Sequence, residues 1–228
     1  MSEAAGDCKS LENSYSLIAD AYLKALLETD RGAAREIITA ALANGLSIRD
    51  LYLRVFQPVQ YEVGRLWLLN KVSVVEEHFC TAATQTIMSE LYSQIISSRR
   101  VGKTLLAACV GPELHEIGMR MVADFFEMEG WDTYYIGAGT SHDQILAALE
   151  QRKPDLLALS ATMTYHVPMV QELIAAIRNS SPSPVFRIMV GGQPFNASPD
   201  LWRTMGADCW AVDADEAVQV ARHVTQAV

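Results

Sequence analysis

Along the first hundred residues apolar positions recur every three or four places, the spacing of helices, and beyond residue 103 they gather into short uninterrupted runs. Leu11, Tyr15, Ile18, Tyr22, Ala25 and Leu26 predict a helix over 11–28, with residues 1–10 read as a flexible tail. Thr29–Gly32 breaks it, a second helix follows over 33–42, and Asn44-Gly45 closes that one as a C-cap pair. Ser47–Asp50 offers an N-cap, Leu51, Tyr52, Val55 and Phe56 mark a buried face, and Pro58 should kink or restart the helix on its way to Leu69. After the turn at Asn70-Lys71, Ser73-Val74-Val75-Glu76 has the form of a capping box that opens a long helix to about Ile96. Helices joined by turns this short predict an antiparallel bundle over 11–98.

The period changes after a boundary at 97–103, of which 99–103 is read as linker. Apolar runs at Thr104–Val110, Thr133–Ile136, Leu156–Ser160, Val185–Val190 and Cys209–Val212 alternate with helical patterns near 115–129, 141–152, 166–179, 198–205 and 214–227. Strand and helix in alternation predict a parallel sheet covered on both faces. Residues 104–228 are therefore expected to form a flavodoxin-like (Rossmann-like), doubly wound α/β domain of five strands, preceded by the helical bundle.

Charge narrows the partners. The chain carries a net charge of −9, with 10 Lys+Arg against 12 Asp+Glu in residues 1–100 and 8 against 15 in the remainder. Neither half has the basic excess that phosphate backbones require, so direct nucleic-acid binding is not expected. No apolar run approaches the ~20 residues of a membrane span, the amino terminus has no secretory core, and Cys8, Cys80, Cys109 and Cys209 lack metal-site spacing. A reducing cytoplasm is the expected location.

The candidate chemistry sits in Gly111-Pro112-Glu113-Leu114-His115-Glu116-Ile117-Gly118, between the first strand and its helix. Loops at the carboxyl ends of parallel strands are where such sheets bind ligands. His115 can reach a metal while Glu113 holds its other ring nitrogen, a frequent arrangement for ligating histidines; taken singly, it reads first as a loop histidine bonded to backbone. Two further stretches keep register with it. Ser160-Ala161-Thr162 follows Gly118 after 41 positions, and Gly191-Gly192 follows Thr162 after another 28.

E-x-H-x-x-G, S-x-T and GG at these separations resemble the cobalamin-binding domain family, whose usual first motif has Asp where this chain has Glu113. The resemblance covers residues 101–228 and implies that His115 binds cobalt from the lower face, with Glu113 accepting from the imidazole and Ser160 completing the relay. The displaced nucleotide tail would lie in a slot beside the first strand, where Thr162, Gly191, Gly192 and Gly118 allow close approach, and Gly137 in the loop 137–140 would lie near the corrin. Each glycine also reads as an ordinary turn or packing residue. In the bundle, Trp67 is followed by nine residues and then Glu77-His78. That spacing resembles the CarH/LitR light sensors, in which it implies contact with the corrin's upper face, and the layout, read as lacking a DNA-reading element, looks like the stand-alone AerR/PpaA-like antirepressors. Two departures stand out. Leu68 occupies the place where those sensors that form a bis-histidine adduct carry a second histidine, with His142 and His166 as possible replacements, and no DNA-binding domain precedes the bundle.

The expectation is thus a non-enzymatic, light-responsive cobalamin sensor (adenosylcobalamin, or hydroxocobalamin or methylcobalamin) that regulates transcription through a protein partner such as a repressor. The alternative is a corrinoid methyl carrier of a methyltransferase system. Trp67 and Glu77-His78 favour the sensor, because a carrier must expose its upper face; an intact His115 speaks against a third option, a module that has lost its cofactor.

Overall fold

The computed structural model describes residues 2–96, 99–180 and 185–226, with side chains from residue 11 onward. Ser97 and Ser98, part of the expected boundary, lie outside them, as does Ala227, the last residue of the expected 214–227 helix. The chain divides into two compact units that meet in sequence between Gln94 and Ile95.

The first unit is helical. Helix α1 (Ser2–Leu27) is followed by α2 (Arg31–Ala43), whose first turn is capped by Asp30 accepting from the Ala33 amide at 2.9 Å. The backbone of 2–10, expected as a tail, belongs to α1; Ala4 and Ala5 are strong helix formers and outweigh Gly6. Ser47 caps the short α3 (Ile48–Asp50), which runs through a π-helical stretch, Leu51–Phe56, into α4 (Gln57–Leu68). The α-helix restarts beside Pro58, as expected. Its missing N–H falls in the first turn of α4, and the backbone upstream widens, with the Gln57 amide donating to the Tyr52 carbonyl. The capping box forms as expected: the Ser73 amide donates to Glu76 at 2.7 Å and the Glu76 amide to Ser73 Oγ at 3.3 Å, opening α5 (Val74–Ile95). Tyr22, Leu26, Ile38, Leu51, Tyr52, Phe56 and Met88 form the buried centre, and the Tyr22 hydroxyl pairs with Thr84 Oγ1 at 2.8 Å.

The second unit is a five-stranded, all-parallel sheet in the order β2-β1-β3-β4-β5, built from β1 (Thr104–Cys109), β2 (Asp132–Tyr135), β3 (Leu156–Ser160), β4 (Arg187–Gly191) and β5 (Cys209–Ala211). The doubly wound expectation holds. Helices α6 (Ile117–Met128) and α11 (Ala214–Val224) pack together, and α6 lies on β1 and β2 while α11 lies on β5. Helices α7 (His142–Arg152) and α8 (Val167–Ser180) contribute Ile145, Leu149, Val170 and Ile174 to a core shared with Leu106, Ala108, Leu157, Leu159, Ile188 and Val190. The alternation along β1 sends Leu106 and Ala108 to that core, and every residue of β3 is buried, as two covered faces require. β4 begins at Arg187 rather than Val185, which is 82% exposed. The helix expected over 198–205 is the shorter α10 (Leu201–Thr204), and a further helix that was not expected, α9 (Gln193–Ala197), precedes it, with Phe195 buried and Pro199 between the two.

Register decides where the chemistry gathers. Cys109 pairs with Ser160, and Ser160 with Gly191, so three strand ends lie level. Strand order reverses between β1 and β3, and a crevice opens at such a switch point.

Candidate functional site

Glu113 is the centre of this crevice. Its side chain has no exposure, yet it sits in a loop, and the cost of burying it is met by five donors. Oε1 accepts from the His115 amide at 3.1 Å and pairs with His115 Nδ1. Oε2 accepts from the amides of Thr162 at 2.8 Å and Met163 at 3.2 Å, and pairs with His166 Nδ1 at 3.0 Å. Burial by itself would raise the carboxyl, but the donors from His115 and His166 and the two loop amides outweigh it and hold the group well below the usual carboxylate range. An ionised carboxylate only accepts, so both imidazoles carry a proton on Nδ1.

His115 has 43% of its side chain exposed while its Nδ1 edge is tied down. The ring is thus fixed through its Nδ1 edge while part of the side chain faces solvent. The neighbouring Cys109 offers no competing thiolate: burial pushes its thiol up to about 12. The loop itself is braced. The Gly139 amide donates to the Glu113 carbonyl at 3.3 Å, and Glu116 accepts from the Tyr135 hydroxyl at 2.8 Å and the Ala138 amide at 3.2 Å. Gly137 lies beside this contact with positive φ, 3.5 Å from Glu116 Oε2 at its Cβ position.

The expected relay needs one correction. Ser160 is buried, but its hydroxyl donates to Cys109 Sγ at 3.4 Å and not to Glu113. Level pairing of Ser160 with Cys109 turns it toward that thiol, while the chain two residues on curls back over Glu113. Thr162 takes part through its amide. His166, in the 3-10 turn Thr164–His166, supplies the side-chain donor; it is 5% exposed and faces inward, so it is not set up as a replacement cobalt ligand. The signal for it was a histidine four residues beyond Thr162.

The glycines divide. At Gly192, with φ of 106°, a Cβ would stand 2.1 Å from the Ala161 carbonyl oxygen, so the packing of the β3 and β4 ends requires glycine with or without a ligand. At Gly191 the nearest atom would be at 3.5 Å, an ordinary contact. Among the described residues, no heavy atom beyond Gly118's chain neighbours and its own helix backbone lies within 4 Å of its Cβ position, so the packing role open to it finds no neighbouring element to pack against. Trp67, Glu77 and His78 belong to the first unit. There Trp67 is half-buried near the end of α4, and Glu77 and His78 form a pair at 3.5 Å across the start of α5.

A switch-point loop whose imidazole is held on a buried carboxylate defines a class: doubly wound α/β domains with a ligand site at the carboxyl ends of their strands. Residues 103–221 match the B12 binding domain family, residues 18–92 match a second family of the same description, and the chain belongs to the B12 binding domain family. Cobalamin, with its cobalt, is the cofactor. Among curated relatives, the dimethylamine corrinoid protein 3 of Methanosarcina mazei is 24% identical over 73% of this chain and 96% of its own length. The monomethylamine corrinoid protein of Methanosarcina barkeri superposes with a TM-score of 0.80 at 22% identity, covering 92% of this chain and 99% of that one. The methanol:cobalamin methyltransferase complex from the same organism gives 0.52 at 17% identity, over 92% of this chain and 80% of that one. These relatives overturn the expectation of a light-responsive regulator of transcription: they are corrinoid proteins and a methyltransferase complex.

Proposed function

We propose that this protein is a corrinoid methyl carrier that serves a methyltransferase system and catalyses little by itself. The observation that carries the reading is the Glu113–His115 pair at the end of β1, an imidazole with one ring nitrogen held by a buried, ionised carboxylate. A single imidazole suits a metal whose equatorial positions a macrocycle already fills, and the open space at Gly118 leaves room for a ligand to pass the start of α6. Bound cobalt supplies the atom that accepts and gives up the methyl group. His115 would hold the cofactor as cobalt ligand, with Glu113 fixing its tautomer and Gly118, Thr162, Gly191 and Gly192 along the path of the nucleotide tail. The names of the relatives support the substrate class, methyl groups from methylamines or methanol, and a methyltransferase rather than a repressor as partner. A cytoplasmic location belongs to the same proposal; among the described residues no helix is long and apolar enough to cross a membrane.

The test is transfer. The chain is loaded with hydroxocobalamin, reduced, and mixed with methylamine and methanol methyltransferases and their 13C-methyl substrates. The 13C label is expected on the protein-bound cofactor, and to be lost from it in His115→Ala. A loaded chain that acquires no label from any of these donors would contradict the carrier reading.

A further inference from the structure

His166, expected as a possible replacement ligand, is instead bonded to Glu113 inside the site. Three features set it apart from a histidine that merely fills the core. It is 5% exposed, it pairs with Glu113 Oε2 at 3.0 Å, and it does so on the carboxylate that also holds His115. Its Nδ1 must carry the proton, as must that of His115, because the carboxylate between them accepts only. Two imidazoles thus draw on one negative charge from opposite oxygens. Charge engaged by one donor is less available to the other, and in a buried site that competition is little screened by water. Its ring is also steered by Tyr165, an edge-on neighbour with centroids 4.4 Å apart.

We propose that His166 is a positioning residue for the lower axial ligand: by donating Nδ1–H to Glu113 it limits how strongly that carboxylate polarises His115, and so sets how tightly His115 holds cobalt. This inference rests on the reading of His115 as the cobalt ligand. Reduction of cobalt to its lowest oxidation state releases axial donors, so a carrier whose His115 grips too hard is difficult to reduce. A donor on the far oxygen of Glu113 eases that grip. Ser160, bonded to Cys109, does not do this.

Two variants of nearly equal size separate the hydrogen bond from the packing. In His166→Asn the amide nitrogen stands where Nδ1 stood; His166→Leu keeps similar bulk and has no donor. The midpoint of the Co(II)/Co(I) couple is read by spectroelectrochemistry on the hydroxocobalamin-loaded chain. His166→Leu is expected to disfavour reduction about tenfold, about 59 mV to the negative for one electron, with His166→Asn close to the parent. A second readout needs no cofactor. In the apo chain with 15N-histidine, the His115 Nδ1 proton resonance is expected further downfield in His166→Leu and unmoved in His166→Asn. No shift in either variant, or equal shifts in both, overturns the proposal. Failure of the underlying reading looks different: the visible spectrum of loaded His115→Ala would match the parent, while the apo resonance would still report whether His166 acts on Glu113.

Discussion

At Glu113 the whole site depends on one side chain buried as an anion, with two imidazoles and three amides as donors. Its folded carboxyl lies below the unfolded value of about 4.3. Linkage then has a definite sign: the stabilisation is complete above that unfolded value and is lost as the pH falls through the folded one. Glu113→Gln should lower the unfolding free energy at pH 7 by about 1.5–3 kcal/mol and flatten the acid limb of stability, as denaturant titrations from pH 7 to pH 3 will show. A variant with the parent's acid limb would remove the carboxylate from its assigned role. The Glu113–His115 half of this network was legible in the sequence, because its two members are neighbours in one loop. The His166 half was not. It depends on how the chain turns after β3, and a motif that names Ser160 and Thr162 does not say whether hydroxyl or amide reaches across.

Elements were legible where one physical signal dominated. β3 was placed end to end by its uninterrupted apolar run, and the start of α5 by its capping box. Shorter pieces were lost. The π-helical widening at Leu51–Phe56 leaves no trace in periodicity, and α9 hides between Gly192 and Pro199 in a stretch that reads as loop. The loop glycines make contrasting predictions. Gly192→Ala meets the Ala161 carbonyl at positive φ and should cost at least about 1–3 kcal/mol from the dihedral alone, seen as a lower melting temperature of the apo chain. Gly118→Ala, in the first turn of α6 with open space around it, should raise apo stability by up to about 1 kcal/mol. Equilibrium dialysis should find its affinity for hydroxocobalamin at least tenfold weaker. Unchanged affinity would place the nucleotide tail elsewhere.

Across the whole molecule, the alternation of patterns along the chain was enough to separate a helical part from a doubly wound sheet, and family matches over 18–92 and 103–221 cover both. What the protein does was harder to read. The spacing from Trp67 to Glu77-His78 places those side chains on either side of the connection between α4 and α5, but spacing describes the bundle's own geometry and says nothing about what the bundle serves; the relatives replaced the sensor with the carrier. The claim beneath the carrier reading is a bond from His115 to cobalt, and nuclear spin tests it directly. The chain is grown with 15N-histidine, loaded with unlabelled hydroxocobalamin and reduced by one electron, and the paramagnetic resonance spectrum of cobalt is recorded. Splitting by a protein nitrogen should change each line from the triplet of 14N to the doublet of 15N, and that signal should vanish in His115→Ala. Triplets that persist in the labelled protein would mean that the cofactor's own base still holds the metal and that His115 is not its ligand.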